Sequence, residues 1–489
     1  MGGKQSGGSI LDPRNSIRID DIKHIQNTMI DKLDKPTQDL SGKNVTVVGG
    51  ARSGMAVCRL LTEVEATAFL TDQKEPVDWA EKKQELSQLG IEFEIDGHTE
   101  KSFEADLIVV SPGVPQDADI LTKAGEKGIP VVSEVELASW FTNLPIAAVT
   151  GSNGKTTTTT MLAEMCRYGG YETFLAGNIG FPFSDAVRSI LGNEPNNGLH
   201  VLEVSSFQME HIHHFKPKVA VLLNLTADHL DRYSNMDAYA RAKMNILNNM
   251  TENDQVVYNK DDAELTPYLE TSAMLVPFSL STVPNALFTV NETKIYDAAD
   301  EILIYLKDVS LPGKHNLSNF LAAATASNLL NVDSNAVGKV MSSFPGVEHR
   351  IEFVDNLDGV EFYNDSKATN VDSVEVALKS FDNPLIVIMG GLDKGGDFSQ
   401  LTQFMKSNVK EIILVGKAAE IISEAFSGVV PTQNAGDIPL AVKTAFQSAQ
   451  SGDVVLLSPG CASFDQFENF EERGDAFKAA VANLKRTAS

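Results

Sequence analysis

Pro145-Ile146-Ala147-Ala148-Val149-Thr150-Gly151-Ser152-Asn153-Gly154-Lys155-Thr156-Thr157 is the stretch from which the rest of this chain can be read. Pro145 to Val149 is a short apolar run of strand character. A glycine turn follows it, and Met161, Leu162, Met165 and Cys166 then recur at helical spacing. Strand, glycine loop and helix is the context in which backbone N–H groups and a helix N-terminus receive a phosphate. Gly151, Ser152, Asn153 and Gly154 would form the loop, and Thr157 lies in the first turn of the helix. Lys155 would bring a cation to the β- and γ-oxygens, and Thr156 would offer its hydroxyl to Mg²⁺. The stretch departs from the strict G-x-x-x-x-G-K-[ST] pattern, because Val149 stands where the first glycine would be. An ATP site is the resulting expectation.

Two further apolar runs end in functional side chains. Val201-Leu202-Glu203 places a carboxylate at a strand tip, and Leu223-Asn224-Leu225-Thr226-Ala227-Asp228-His229 adds a carboxylate and an imidazole. Ligands of parallel α/β sheets bind beyond the carboxyl ends of the strands, so Glu203 and His229 are suited to hold metal ions against phosphates. His211, His213 and His214 precede Lys216-Pro217 in a polar connection and are read as loop residues.

The same alternation of short Val/Ile/Leu runs with helical patterns extends over most of the chain: Asn44–Val48, Leu107–Val110, Val219–Leu223, Leu385–Met389, Ile412–Val415 and Val454–Leu457. Such continuous runs imply parallel sheets covered on both faces. Three consecutive α/β domains are expected: a Rossmann-like N-terminal one over 41–138, a central P-loop ATPase-like one over 139–346, and a Rossmann-like C-terminal one over 347–489. Residues 1–40 form an extension whose Ile22, Ile25, Met29, Ile30 and Leu33 have helical spacing.

Composition agrees with this plan. A chain of 489 residues, 43% hydrophobic and 22% charged, is an ordinary globular one with room for about three domains. Its net charge of -26 lacks the basic footprint of a nucleic-acid binder. Three scattered cysteines, Cys58, Cys166 and Cys461, argue for reduced thiols. No apolar run approaches the roughly 18 residues of a membrane helix. A cytoplasmic monomer without membrane insertion is expected.

In the first third, Val45–Val48 leads into Gly49-Gly50-Ala51-Arg52-Ser53-Gly54 and a helical pattern, and a second strand ends at Asp72, where a carboxylate could accept from a ribose hydroxyl. Ala51 replaces the glycine that lets a backbone approach a pyrophosphate, so a dinucleotide site and a nucleotide-diphosphate site of other geometry both stay open. Ser111-Pro112-Gly113 is a second nucleotide loop or a plain turn. In the last third, Glu348-His349-Arg350 precedes a strand, Tyr363-Asn364-Asp365-Ser366-Lys367-Ala368-Thr369-Asn370 closes another, and Gly390-Gly391-Leu392-Asp393-Lys394-Gly395-Gly396 forms a flexible loop. Arg350, Lys367 and Lys394 would be the local cations that an acidic protein concentrates around anionic ligands.

Gly151–Thr157, Glu203-Val204-Ser205-Ser206-Phe207-Gln208, Asp228-His229-Leu230-Asp231-Arg232-Tyr233 and Gly313-Lys314-His315-Asn316 together resemble the Mur ligase family, the ATP-dependent amide-forming enzymes of peptidoglycan precursor synthesis. The resemblance runs from Lys43 to the C-terminus. It implies ATP and two Mg²⁺ ions, with Lys155, Glu203, His229, Lys243 and Lys367 catalytic and Thr156, Glu203, His229 and Lys243 at the metals. Lys243 would be carbamylated, although physics alone reads it as an exposed helix lysine. Asn178 and His229 would face a sugar-nucleotide substrate, Asn316 the adenine, and Arg350 and Asp365 ATP.

Ser458-Pro459-Gly460-Cys461-Ala462-Ser463-Phe464-Asp465-Gln466-Phe467-Glu468-Asn469-Phe470-Glu471-Glu472-Arg473-Gly474 resembles the members that add D-glutamate to UDP-N-acetylmuramoyl-L-alanine. By that likeness Lys394, Thr369, Ser463 and the backbone near Phe464 and Phe470 bind D-glutamate. The same likeness implies that Lys367 would lie near the transferred phosphoryl and that Arg52, Ser53, Gly54, Asp72, Gln73, Lys74, Ser111 and Gly113 would take the UDP. Another Mur-type or folate polyglutamate ligase, an ATP-binding regulatory protein, and an NAD(P)-dependent oxidoreductase read from Gly49–Gly54 are the alternatives.

Overall fold

A computed structural model describes residues 39–488, apart from 76–78, 227, 229–231, 298, 300, 312 and 394. The helical reading of residues 22–33, and the roles expected of His229 and Lys394, therefore lie outside the described residues.

Four sheets follow one another along the chain. The first is parallel, with strand order Glu92–Glu94, Thr67–Thr71, Asn44–Val48, Leu107–Val110, Val131–Ser133. The second is also parallel, ordered Met274–Phe278, Gln255–Asn259, Val219–Leu222, Ile146–Thr150, Gly198–Glu203, Glu172–Gly177. Every residue of Ile146–Thr150 and of Gly198–Glu203 is buried, as strands covered on both faces require. Ile146–Thr150 pairs with Val219–Leu222 on one side and Gly198–Glu203 on the other, so all three strand ends open onto one crevice. This places the phosphate loop, Glu203 and the segment after Leu222 together.

The last sheet has the order Glu352–Leu357, Val360–Asn364, Val454–Leu457, Leu385–Gly390, Val409–Val415, Thr432–Gly436. Here the expectation of all-parallel sheets needs correction. Glu352–Leu357 runs antiparallel to Val360–Asn364, because Asp358-Gly359 make a tight hairpin turn with both residues at positive φ. A three-stranded antiparallel sheet, Phe288–Val290, Lys294–Asp297 and Ile302–Tyr305, is also added to the central domain, where short alternating strands gave no continuous apolar run to read.

One apolar cluster passes from the first sheet, through Val135, Leu137 and Trp140 of the joint, to Phe183, Phe215 and Tyr239 beneath the central sheet. The first two domains are thus welded by shared core, which outweighs the ion pair of Arg59 with Asp185 across the same boundary. The third domain has its own clusters on the two faces of its sheet. It is entered through a linker in which His349 and Ile351 both hold positive φ, the latter an uncommon state for a β-branched residue. Among the described residues, no helix is long and apolar enough to cross a membrane.

Candidate active site

The phosphate loop is built from the strand end outward. Gly154 has φ +81° at the N-cap of the helix Lys155–Tyr168, and a Cβ there would collide with the Asn319 side chain. Only glycine meets both conditions. The loop is held from behind by Asn224, which accepts from Asn153 N at 2.8 Å and donates from Nδ2 to Asn153 O at 3.0 Å. Ser152 Oγ donates to Thr226 O at 2.9 Å and lies 3.1 Å from Tyr239 Oη. Lys155 curls over the loop, its Nζ donating to Gly151 O at 2.8 Å and Ser152 O at 2.7 Å. Burial lowers its pKa, opposed by the nearby carboxylates of Glu203 and Asp228. Thr156 and Thr157 are buried in the first turn.

Glu203 is buried at the tip of its strand. Asn178 binds it twice, with Nδ2 donating to Glu203 Oε1 at 2.7 Å and the backbone N–H donating to Glu203 O at 2.8 Å. The first bond holds the carboxylate and the second the strand tip that carries it. Its other oxygen, Oε2, is buried with no hydrogen-bond partner among the described residues.

Lys243 overturns the expectation of an exposed helix lysine. It is 1% exposed on the helix Met236–Met244, with Nζ donating to Gly151 O at 3.0 Å and lying 4.8 Å from the centre of the Tyr239 ring. Burial, reinforced by the charge of Lys155, pushes its pKa far below the usual lysine value. The helix repeat alone could not show this, because the surface that covers Lys243 belongs to the phosphate loop.

The third domain completes the site. Lys367 Nζ donates to Thr156 Oγ1 at 3.2 Å, bringing a second lysine to the loop, and burial lowers its pKa to about 8, helped by Arg350. Asp365 accepts from Ser458 Oγ at 2.9 Å and from Ile351 N at 3.3 Å, and burial raises its pKa to about 7. Asn153, Gly154, Thr157, Asn316, Arg350, Asp365 and Lys367 line one cavity of 590 Å³ between the domains. Arg350 Nε is buried there without a partner among the described residues. Six of the ten residues expected at ATP therefore line a single space, while Gly151, Ser152, Lys155 and Thr156 belong to the adjoining loop and helix start and do not line it.

Two other groups of expected residues lie apart from this cavity. At the edge of the first sheet, Gly54 packs so closely on Gly49 O that a Cβ would overlap it, whereas Ala51 has an ordinary φ of -79°, which explains why alanine is accommodated there. Asp72 accepts from Gly50 N at 2.6 Å and from Lys74 N at 3.1 Å, so this carboxylate shapes the turn. Ser111 Oγ donates to Gly49 O at 3.1 Å, linking the two loops, while Arg52, Gln73, Lys74 and Gly113 are exposed and Ser53 is half-buried. In the third domain, Thr369 is half-buried, Ser463 buried, Phe464 exposed and Phe470 half-buried.

Several residues that organise the site carry no signal of that role in the sequence. Arg473, inside the last quoted motif, is buried; its Nε donates to Ser366 Oγ at 3.0 Å, Nη2 to Ser366 O at 2.8 Å and Nη1 to Cys461 O at 3.1 Å. It clamps the Asp365–Thr369 loop to the Ser458–Ser463 loop. The polar connection with its histidines serves the joint between the first two domains: the backbone N–H groups of His213, His214 and Phe215 all donate to the Glu136 carboxylate.

Three family models match in order: the MurD N-terminal domain over 44–120, the Mur ligase middle domain over 149–327, and the Mur ligase glutamate ligase domain over 349–461. The chain is 44% identical over 454 residues, 90% of its length and 97% of the relative's, to the UDP-N-acetylmuramoylalanine--D-glutamate ligase of Salinibacter ruber. It is 41% identical over 458 residues, 92% of its length and 100% of the relative's, to the protein of that name in a Thermoanaerobacter species. Among solved structures, the UDP-N-acetylmuramate-alanine ligase of Thermotoga maritima covers 91% of this chain and 100% of its own with a TM-score of 0.57 at 20% identity, a likeness of fold. Matched in order by three domain models, and over nine-tenths of its length by these relatives, the chain belongs to the Mur ligase family.

Proposed function

We propose that this protein joins D-glutamate to UDP-N-acetylmuramoyl-L-alanine at the expense of ATP, in peptidoglycan precursor synthesis. The observation that carries this function is the meeting of Lys155 and Lys367, from two domains, at the first turn of the phosphate loop. Relatives bearing the D-glutamate ligase name across their full length support the choice of substrates.

A carboxylate does not acylate an amine, because its oxygen is a poor leaving group. Transfer of the ATP γ-phosphoryl to the alanyl carboxylate makes an acyl phosphate and releases ADP. The D-glutamate amine then attacks, and phosphate leaves an amide. Lys155 and Lys367 hold charge on the transferred group, and the walls of the cavity between the domains limit the access of water to the acyl phosphate. In the first domain, the Gly49–Gly54 turn, Asp72 and the Ser111–Gly113 loop receive the uridine nucleotide; in the third, Thr369, Ser463, Lys394 and the backbone at Phe464 and Phe470 receive D-glutamate.

Divalent cations fit the central site. Glu203 Oε2, without a partner among the described residues, and the Thr156 hydroxyl are hard oxygen donors, and the His229 imidazole would add a nitrogen. Mg²⁺, when bound, supplies charge neutralisation on the phosphate oxygens. The burial that lowers the pKa of Lys243 eases loss of its proton, and the amine would then add CO₂ and lose a second proton to give a carbamate, a further oxygen ligand.

ADP release should require both UDP-N-acetylmuramoyl-L-alanine and D-glutamate, and should not respond to L-glutamate or L-lysine. Equal release with all amino acids would overturn the substrate assignment. A pH profile tests Lys367 separately. With a pKa of about 8 it is charged below that pH and neutral above, so kcat/KM for ATP should fall as pH rises through about 8. In Lys367→Arg this limb should move out of range, since guanidinium stays charged; an unmoved limb would assign the titration elsewhere.

A further inference from the structure

Arg232 joins the central domain to the loop Ser111-Pro112-Gly113. Its Nη1 donates to Pro112 O and its Nη2 to Val114 O, both at 2.8 Å, so the guanidinium brackets Gly113. From the central domain it is held by Glu210, whose Oε2 lies 2.6 Å from Nη2, and by the Phe207 ring, whose centre is 4.3 Å from the guanidinium carbon. Those partners are themselves fixed. Tyr233 Oη donates to Glu210 Oε1 at 2.6 Å, and the Tyr233 ring stacks on Phe207 at 5.9 Å and 15°.

This is more than a surface ion pair. The Glu210 side chain is 1% exposed and that of Arg232 16%. A planar fork serves two carbonyls and a carboxylate together, which a lysine's single ammonium group cannot match in geometry. The bracketed loop also contacts the Gly49 turn through Ser111 Oγ. Both candidate nucleotide loops are therefore referred through Arg232 to the central domain, one directly and one through the other.

We propose that Arg232 is a positioning residue for the sugar-nucleotide substrate. It fixes the 111–113 loop against the central domain, so that the nucleotide end is held at a set reach from the phosphate loop. The inference rests on the reading that the first domain takes the uridine nucleotide. A substrate gripped at both ends loses affinity when one grip moves, while ATP and D-glutamate, bound elsewhere, do not.

The test is calorimetric binding of UDP-N-acetylmuramoyl-L-alanine to the full-length protein without ATP, together with the three KM values. Arg232→Lys, which keeps the charge but not the fork, should raise Kd and KM for the sugar nucleotide roughly tenfold, with the KM values for ATP and D-glutamate changed by less than about twofold. Glu210→Gln keeps an acceptor for Tyr233 and should shift the same two constants in the same direction by about threefold, which preserves the test should the first variant fold poorly. Wild-type affinity in both variants, or an equal rise in all three KM values, would overturn the role of Arg232. Failure of the wild-type protein to bind the sugar nucleotide would instead overturn the reading beneath it.

Discussion

Lys155→Ala is expected to lower D-glutamate-dependent ADP release by roughly three orders of magnitude, the scale lost when a preorganised cation is removed from a transferring phosphoryl group. The geometry argues for so large an effect. Lys155 is held over the loop by Gly151 O and Ser152 O, which keeps its ammonium group beside the loop N–H groups that receive phosphate. Its desolvation, which depresses its pKa, also strengthens its attraction to phosphate oxygens. The cost to folding should be small, because the core beneath the loop is made by Leu162, Met165 and their neighbours. Steady-state ADP release and a thermal melt on the same preparation decide the matter. Retained turnover would refute the catalytic role of Lys155.

Lys243→Ala is the second large expected effect, a fall of about a hundredfold or more in turnover, comparable with the loss of one preorganised group at a phosphoryl site. The Lys243 amine is buried and donates to a backbone carbonyl. Such a lysine is costly to keep charged, and the displacement of its pKa far downward is the sign of that cost. An amine beside the phosphate loop that gives up its proton more readily than an exposed lysine is suited to carbamylation. Wild-type turnover should therefore fall in carefully decarbonated buffer and return with bicarbonate, whereas the variant should respond to neither. Loss of activity in the variant without any bicarbonate response in the wild type would leave Lys243 a positioning amine and remove the carbamate.

Much of the fold was legible because its signals are local. A strand buried on both faces must be a continuous apolar run, so Leu107–Val110, Leu385–Met389 and Val454–Leu457 could be placed from sequence to within a residue or two. The antiparallel strands were not, since Phe288–Val290 and Ile302–Tyr305 are short and partly exposed and leave little apolar pattern. The resemblance alone drew attention to Lys243, while Lys367 was also legible as a cation at a strand end, and the contacts of each appeared only in three dimensions.

The sequence by itself determined the order of the three domains, the phosphate loop with its lysine, and the family to be expected, because these depend on neighbouring residues and on motif spacing. Only the tertiary structure decided which side chains are buried and what they hold. Lys243 meets Gly151 across 92 residues, Arg473 meets Ser366 across 107, and Arg232 meets Pro112 across 120. In each case the side chain donates to a backbone carbonyl. Carbonyl groups are the same at every residue, so no side-chain pattern in the sequence could announce these contacts, and only the packing of domains and loops selects them.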